Sequence, residues 1–202
     1  MSFVQRRRFL WILFLAGLAL LAVAANATTL SRLRFEELVN QATAVARLRC
    51  IGVDSRWESG EIWTETRFET VEVNKGLLPG VVTVRMLGGS IGNLHSRIDG
   101  VPAFHPGEEA YVFLWVREGE PFRVLGWSQG TFRIFRDART GVERVTQDSA
   151  AAPVFDPRTR QFRHGGIRNL PVAIFQLKLR RALEEKIEHF GIGGGRANEN
   201  ER

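Results

Sequence analysis

Cysteine is almost missing from this chain: among 202 residues the only one is Cys50. A lone thiol excludes an internal disulfide, so the core must hold by packing alone. Cys50 stands in step with Ala44, Ala46 and Leu48 in an apolar run. That is the setting of a buried, inert thiol, with an intermolecular disulfide as the alternative. The four histidines, His95, His105, His164 and His189, share no metal-ligand spacing, and no HExxH or paired cysteines occur. No metal or other cofactor is expected. Long hydrophobic runs are lacking too. The apolar run near the start, Leu10–Ala25, has 16 residues without a charge, short of the ~20 that a membrane span needs.

That short run has a different use. Arg6, Arg7 and Arg8 precede it, and Ala25-Asn26-Ala27 follows with the small-x-small pattern of a signal-peptidase site. Residues 1–27 read as a signal peptide, with cleavage between Ala27 and Thr28 and only a transient membrane contact. A retained N-terminal anchor is the alternative. Gln5–Leu10 resembles the twin-arginine export consensus, while the strongly apolar Trp11–Leu21 suits the general secretion route, and both routes stay open. The expected location is periplasmic or secreted. The three leader arginines account for half of the net charge of +6, leaving +3 on the mature chain. Acids interleave with the remaining bases, so nucleic acid is not an expected partner.

What the chain has in quantity is β-forming sequence. Ile62–Val73 and Val81–Leu87 are rich in Thr, Val, Ile, Phe and Trp, and Asn74–Gly80 between them carries glycine and proline. This predicts a hairpin with a long loop. Ile62, Thr64, Thr66 and Phe68 share one face, but Val71 and Val73 take the opposite parity. A bulge is therefore expected near Thr70. Ala44–Val53 predicts a first strand before a polar turn at 54–60. Gly88–Leu94 reads as too glycine-rich for regular structure, and Arg97–Phe104 can hold a short strand. Ala110–Val116 has the apolar run of a strand buried on both faces. Phe122–Gly126 and Thr131–Phe135 predict a second hairpin, and Val142–Thr146 an edge strand. A barrel or sandwich over 28–146 is implied.

Two helices frame these strands. Leu33–Gln41 predicts a short amphipathic helix with Ser31 as a possible cap. After a loop or linker at 147–169, residues 170–191 predict a long C-terminal helix. Phe175, Leu179, Leu183, Ile187 and Phe190 form its apolar stripe, expected to pack across the barrel mouth. Asn169 is placed to cap it, Pro171 suits its first turn, and Gly191 is placed to end it. Residues 192–202 read as a disordered polar tail.

A family pattern runs through about residues 28–190. Ser55-Arg56-Trp57 is followed by Val71-Glu72-Val73-x-Lys75-Gly76, then Thr83-Val84-Arg85-x-x-Gly88-Gly89. Pro102-x-Phe104-x-x-Gly107-Glu108 and Gly126-x-x-Gln129-Gly130-x-Phe132 complete it. In this the chain resembles uncharacterised exported bacterial proteins, some of which occur beside or fused to matrixin-type metalloproteases. More distantly it is similar to the netrin-like barrel of tissue inhibitors of metalloproteinases. The resemblance implies a mainly β fold with a C-terminal α-helix, built on a small antiparallel OB-like (netrin-like) β-barrel. Those inhibitors block zinc through an N-terminal cysteine, and Thr28 stands here instead, so their mechanism does not carry over.

Three functional readings follow. The first is a non-enzymatic binding module for a protein, peptide or envelope component. Its candidate surface is Trp57, Gly88, Gly89, Ser90 and Trp127, aromatics and a glycine-rich loop at turns; the tryptophans equally suit plugging a barrel end. The second is an inhibitor or accessory subunit of an exported metalloprotease, motivated by the resemblance. The third is a small serine hydrolase using Ser90, His95 and Asp99. Gly88–Gly92 matches G-x-S-x-G, but the helix and βα units that such an elbow requires are missing. Glu36-Glu37 and Glu108-Glu109 read as solvated faces.

Overall fold

The computed structural model describes residues 31–151 and 153–193; the expected cleavage site at Ala27 and Thr28 lies outside them, as does most of the expected tail. The fold is mainly β, with a C-terminal helix. Helix α1 covers Phe35–Gln41 and helix α2 covers Val172–Gly193. Strands β1 to β6 are Ala44–Glu58, Glu61–Lys75, Val81–Leu87, Gly89–Ile91, Leu94–Ser96 and Glu109–Trp115. Strands β7 to β12 are Arg123–Val124, Thr131–Arg136, Glu143–Gln147, Val154–Asp156, Gln161–Arg163 and Leu170–Pro171. The main antiparallel sheet runs β12-β9-β8-β6-β1-β2-β3, and β7 also pairs with β6. No helix among the described residues is long and apolar enough to cross a membrane.

The organising hairpin is where the sequence puts it, and so is its bulge. Arg47 faces Glu72 while Leu48 faces Thr70, which leaves Val71 as the extra residue. Further register shifts lie between Val45 and Ala46 and between Cys50 and Gly52. Each inserted residue bends and twists the ladder, and repeated bulges curl the sheet around its inner face. One contact follows from that curl: Val84 on β3 forms an isolated parallel bridge with Phe122, and Arg85 N donates to Phe122 O at 2.8 Å.

The two faces of this sheet bury different things. Ala44, Ala46, Leu48, Cys50, Phe68, Val82, Val84, Met86, Phe104, Val112 and Leu114 pack on the concave side. The opposite side carries Val45, Tyr111, Phe113, Phe132 and Val145, covered by Leu38 and Val39 of α1 and Phe175 and Leu179 of α2. Helix α2 therefore seals the outer sheet face rather than the mouth. Phe175 and Leu179 of its stripe are buried and Leu183 is partly buried; the side chains of Ile187 and Phe190 lie outside the described residues. Cys50 is free and buried, and β6 is buried on both faces.

Other expectations need correction. Strand β1 runs to Glu58 because β2 pairs with it over its whole length, and only Ser59 and Gly60 form the turn. Gly88–Leu94 holds regular structure after all, since β4 and β5 pair around Gly92-Asn93. No strand forms in Arg97–Phe104. Strands β7 and β8 do not pair with each other; each pairs with a different half of β6. Residues 147–169 contain the β10–β11 hairpin, and β9 is covered by β12 rather than being an edge. Asn169 has a left-handed backbone and Pro171 lies in β12, so helix α2 starts at Val172; it continues past Gly191. Arg34 takes the N-cap of α1, its backbone N–H donating to Glu37 Oε2 at 2.8 Å, and Ser31 bridges to Phe155.

Across the outer face an ion-pair ladder ties the strands. Glu109 accepts from Arg47 Nε at 2.6 Å and Arg49 Nε at 2.9 Å; Arg47 also reaches Glu143, and Arg49 reaches Glu69. Burial pushes the Glu109 carboxyl up, but the two arginines outweigh it and hold it below the ordinary 4.5. Because the folded value is the lower one, this stabilisation is present in full above pH 4.5 and is lost as pH falls through the folded value. Glu109→Gln is expected to cost about 1–3 kcal/mol at neutral pH. Urea titrations at pH 7 and pH 3 should find the gap between variant and wild type narrowing in acid; a gap independent of pH would contradict it.

Candidate functional site

The concave sheet face does not close over all of its own surface. Ser55, Thr64, Thr66 and Met86 floor an open groove of about 1320 Å³, walled by residues 88–106 on one side and by Phe155 and Phe162 of the β10–β11 hairpin on the other. Thr64 and Thr66 follow Ile62 on the inward row of β2, where alternation predicts apolar residues. Ser55 Oγ lies 2.8 Å from Thr64 Oγ1, and Thr64 donates to Gly88 O at 2.5 Å. Thr66 is fully buried, yet its hydroxyl has no partner among the described residues. A buried hydroxyl without a partner costs free energy unless something polar reaches it.

The glycines at the groove wall are set by close approach. Gly89 has φ of 133°, and a Cβ there would lie 2.1 Å from Thr64 Oγ1. At Gly88 it would lie 2.7 Å from Ser96 O. Only bare backbone lets β4 settle on the sheet this tightly. Ser90 then pairs across the hairpin with His95, and Ser90 Oγ is 2.8 Å from His95 Nδ1, both residues exposed. Asp99 makes no hydrogen bond or ion pair with His95 among the described residues. The serine follows a strand but enters a hairpin, not a helix, so the elbow that aims a nucleophile at backbone donors is not built.

Of the candidate surface, the groove gathers Gly88, Gly89 and Ser90, while Trp57 and Trp127 lie outside it. Trp57 is 60% exposed near the end of β1. Trp127 sits in a 3-10 turn with φ of 54°. None of Trp57, Trp63, Trp115 and Trp127 plugs the interior. Trp63 and Trp115 instead flank Arg123, at 5.7 Å from each ring, and Arg85 lies 4.4 Å over Trp63. This cation–π stack crosses β2, β3, β6 and β7 on the outer face.

The groove also holds residues with no signal in the sequence. Arg133 donates to Asp148 Oδ1 at 2.8 Å, to Glu108 Oε2 at 2.5 Å and to Ala103 O, and lies 4.7 Å over the Phe104 ring. Burial holds the Asp148 carboxyl above its usual range, against the pull of Arg133. In Glu108, burial is outweighed by the His105 N–H and Arg133, so its carboxyl stays below the usual range. His105 Nδ1 is 3.1 Å from Glu108. These charges are matched to one another across the groove wall. Their encounter depends on segments far apart in the chain, which local pattern does not reveal. Among the described residues no group of three or more His, Cys, Asp or Glu side chains converges as a metal site would.

The Lys75-Gly76, Gly107-Glu108 and Gln129-Gly130 pairs hold the fold. Lys75 Nζ donates to Val39 O at 2.6 Å and to Ala42 O, closing the C-terminal end of α1. A Cβ on Gly76 would meet Thr43 O at 2.4 Å. Gly107 N donates to Cys50 O, and Glu108 O accepts from Cys50 N, which ends the β1–β6 ladder. Gln129 Oε1 accepts from Leu33 N and its Nε2 donates to Ser31 O, both at 2.8 Å, so one side chain straps residues 31–33 to the sheet. Glu36 and Glu37 are likewise engaged, with Lys178 and with Arg34. No family model, curated protein or solved structure matches the chain.

Proposed function

We propose that this chain is a non-enzymatic binding module, exported after loss of residues 1–27, that receives a protein or peptide segment or another envelope component in the β1–β3 groove. The observation that carries this is the groove itself, an open space of about 1320 Å³ with Phe155 and Phe162 on one wall and the exposed Ser90 and His95 on the other. Phe162, 63% exposed at the rim, supplies apolar contact. Ser55 with Thr64, Ser90 with His95, and Arg133 with Asp148 are engaged with one another, which suits recognition better than proton transfer.

We also propose that the curled sheet is an OB-like, netrin-like barrel. The pairings β6-β1, β1-β2, β2-β3 and β7-β6, together with the parallel Val84–Phe122 bridge, support a ring of five strands with β3 and β7 as the parallel seam. Such barrels bind ligands on their strand faces and loops, although fold alone does not assign function.

The test is capture from envelope extract by the protein and by Phe162→Asp, with a thermal melt of the variant to show that the main sheet still folds. The wild type should retain a component that the variant loses by on the order of tenfold, the worth of one well-placed apolar anchor. Equal retention by both, or Ser90-dependent labelling by a fluorophosphonate with ester turnover, would remove this reading.

A further inference from the structure

We propose that the chain pairs with a second copy of itself along the free edge of β1, in a register centred on Ser55. Strand β1 has fifteen residues but pairs with β6 only from Ala44 to Arg49. Cys50 completes that side through Gly107 and Glu108. From 51 to 58 the strand has β2 on one edge and, among the described residues, no hydrogen-bonded strand on the other. Unpaired strand edges are templates for another strand.

Hydrogen-bond alternation shows which residues are available. The β1–β2 turn has two residues, Ser59 and Gly60, with φ of 53° and 87°, and Glu58 faces Glu61. Such a turn makes the closing pair a hydrogen-bonded one, and bonded pairs alternate along an antiparallel ladder. Glu58, Arg56 and Asp54 therefore bond to β2. Trp57, Ser55 and Val53 direct their N–H and C=O groups to the free edge. Cys50, beyond the bulge, also bonds outward, to Gly107 and Glu108, as this alternation requires.

Two copies can join only where outward residues meet outward residues, and charge then selects the register. Centring on Asp54 sets that carboxylate against its twin; centring on Arg56 does the same with two guanidiniums. Sliding further shortens the ladder. Centring on Ser55 places Asp54 opposite the partner copy's arginine at 56 and Val53 opposite its tryptophan at 57, each twice by symmetry. Opposite charges and an aromatic facing a β-branched residue are the favourable cross-strand pairs. Asp54 and Arg56 are exposed, with side-chain accessibilities of 77% and 55%, and Asp54 has only a 3.7 Å contact to Arg67. A charged edge ordinarily repels pairing; these two charges, offset by two residues, favour it in one register.

The consequence reaches the groove. Val53 and Ser55 line it, so the second copy's Trp57 arrives beside its rim and two grooves share one continuous sheet. The pairing stands on the edge geometry and not on what the groove holds.

Sedimentation equilibrium at micromolar concentration, on protein as it accumulates in the producing cell, should find a dimer. Asp54→Arg or Arg56→Asp alone should weaken it by on the order of tenfold, because two attractive pairs become repulsive. The double variant Asp54→Arg/Arg56→Asp should restore it. Ser55→Pro, which removes an edge donor where proline is tolerated, should also give monomer. A wild-type monomer, a dimer indifferent to these changes, or a double variant that stays monomeric would each overturn the proposal.

Discussion

Replacing Phe175 by alanine is expected to lower the stability of this protein by about 3–5 kcal/mol, the range for deleting a buried phenylalanine. Phe175 is fully buried and stands where three elements meet. Its ring lies 4.8 Å from Tyr111, 5.1 Å from Phe132 and 5.8 Å from Phe35, so it touches β6, β8 and α1 at once. No neighbouring side chain can collapse into the space without leaving another of these rings short of contact. A melting temperature lower by on the order of 10 °C should accompany the loss. Ile174, one residue earlier and 50% exposed, serves as the control: its alanine variant should cost less than about 0.5 kcal/mol. Phe175→Ala and Ile174→Ala of equal, small effect would mean that α2 does not dock on this face.

Lys75→Met should cost about 2–3 kcal/mol, as expected for losing hydrogen bonds from a charged donor in a half-buried place. The aliphatic stem would be kept and the ammonium removed. Val39 O, Asn40 O and Ala42 O, which together gather around Lys75 Nζ, would lose that donor at the end of α1. The favourable interaction of a cation with the helix C-terminus would go as well. Urea unfolding measures the loss directly, and Phe162-dependent capture should survive in the folded fraction. Unchanged stability with capture abolished would show that the Lys-Gly pair belongs to recognition instead of folding.

The strand framework was legible because its signals are local. Alternation placed Ile62, Thr64, Thr66 and Phe68 inward, and the parity break marked the bulge at Val71. The long helix was legible from its stripe of Phe175, Leu179 and Leu183. What could not be read were pairings chosen by distant segments. Strands β7 and β8 look like a hairpin, yet both bond to β6, because the turn at Trp127–Gly130 tucks beneath the sheet. There Gly130 leaves no room for a Cβ, which would sit 2.0 Å from Leu125 O. The β10–β11 hairpin was hidden in a polar stretch whose pairing is made by Phe155 against Phe162. The groove was half legible: Gly88, Gly89 and Ser90 carried a motif, whereas Thr66 looked like any strand threonine.

The proposed barrel depends on β7, β6, β1, β2 and β3 sharing one interior, with the seam between β3 and the Phe122 segment. Amide hydrogen exchange at Arg85 tests it most directly, because that N–H crosses the seam to Phe122 O. The account predicts that Arg85 exchanges as slowly as the β1–β2 ladder amides, opening only with global unfolding. Exchange as fast as an uncovered strand edge would contradict it.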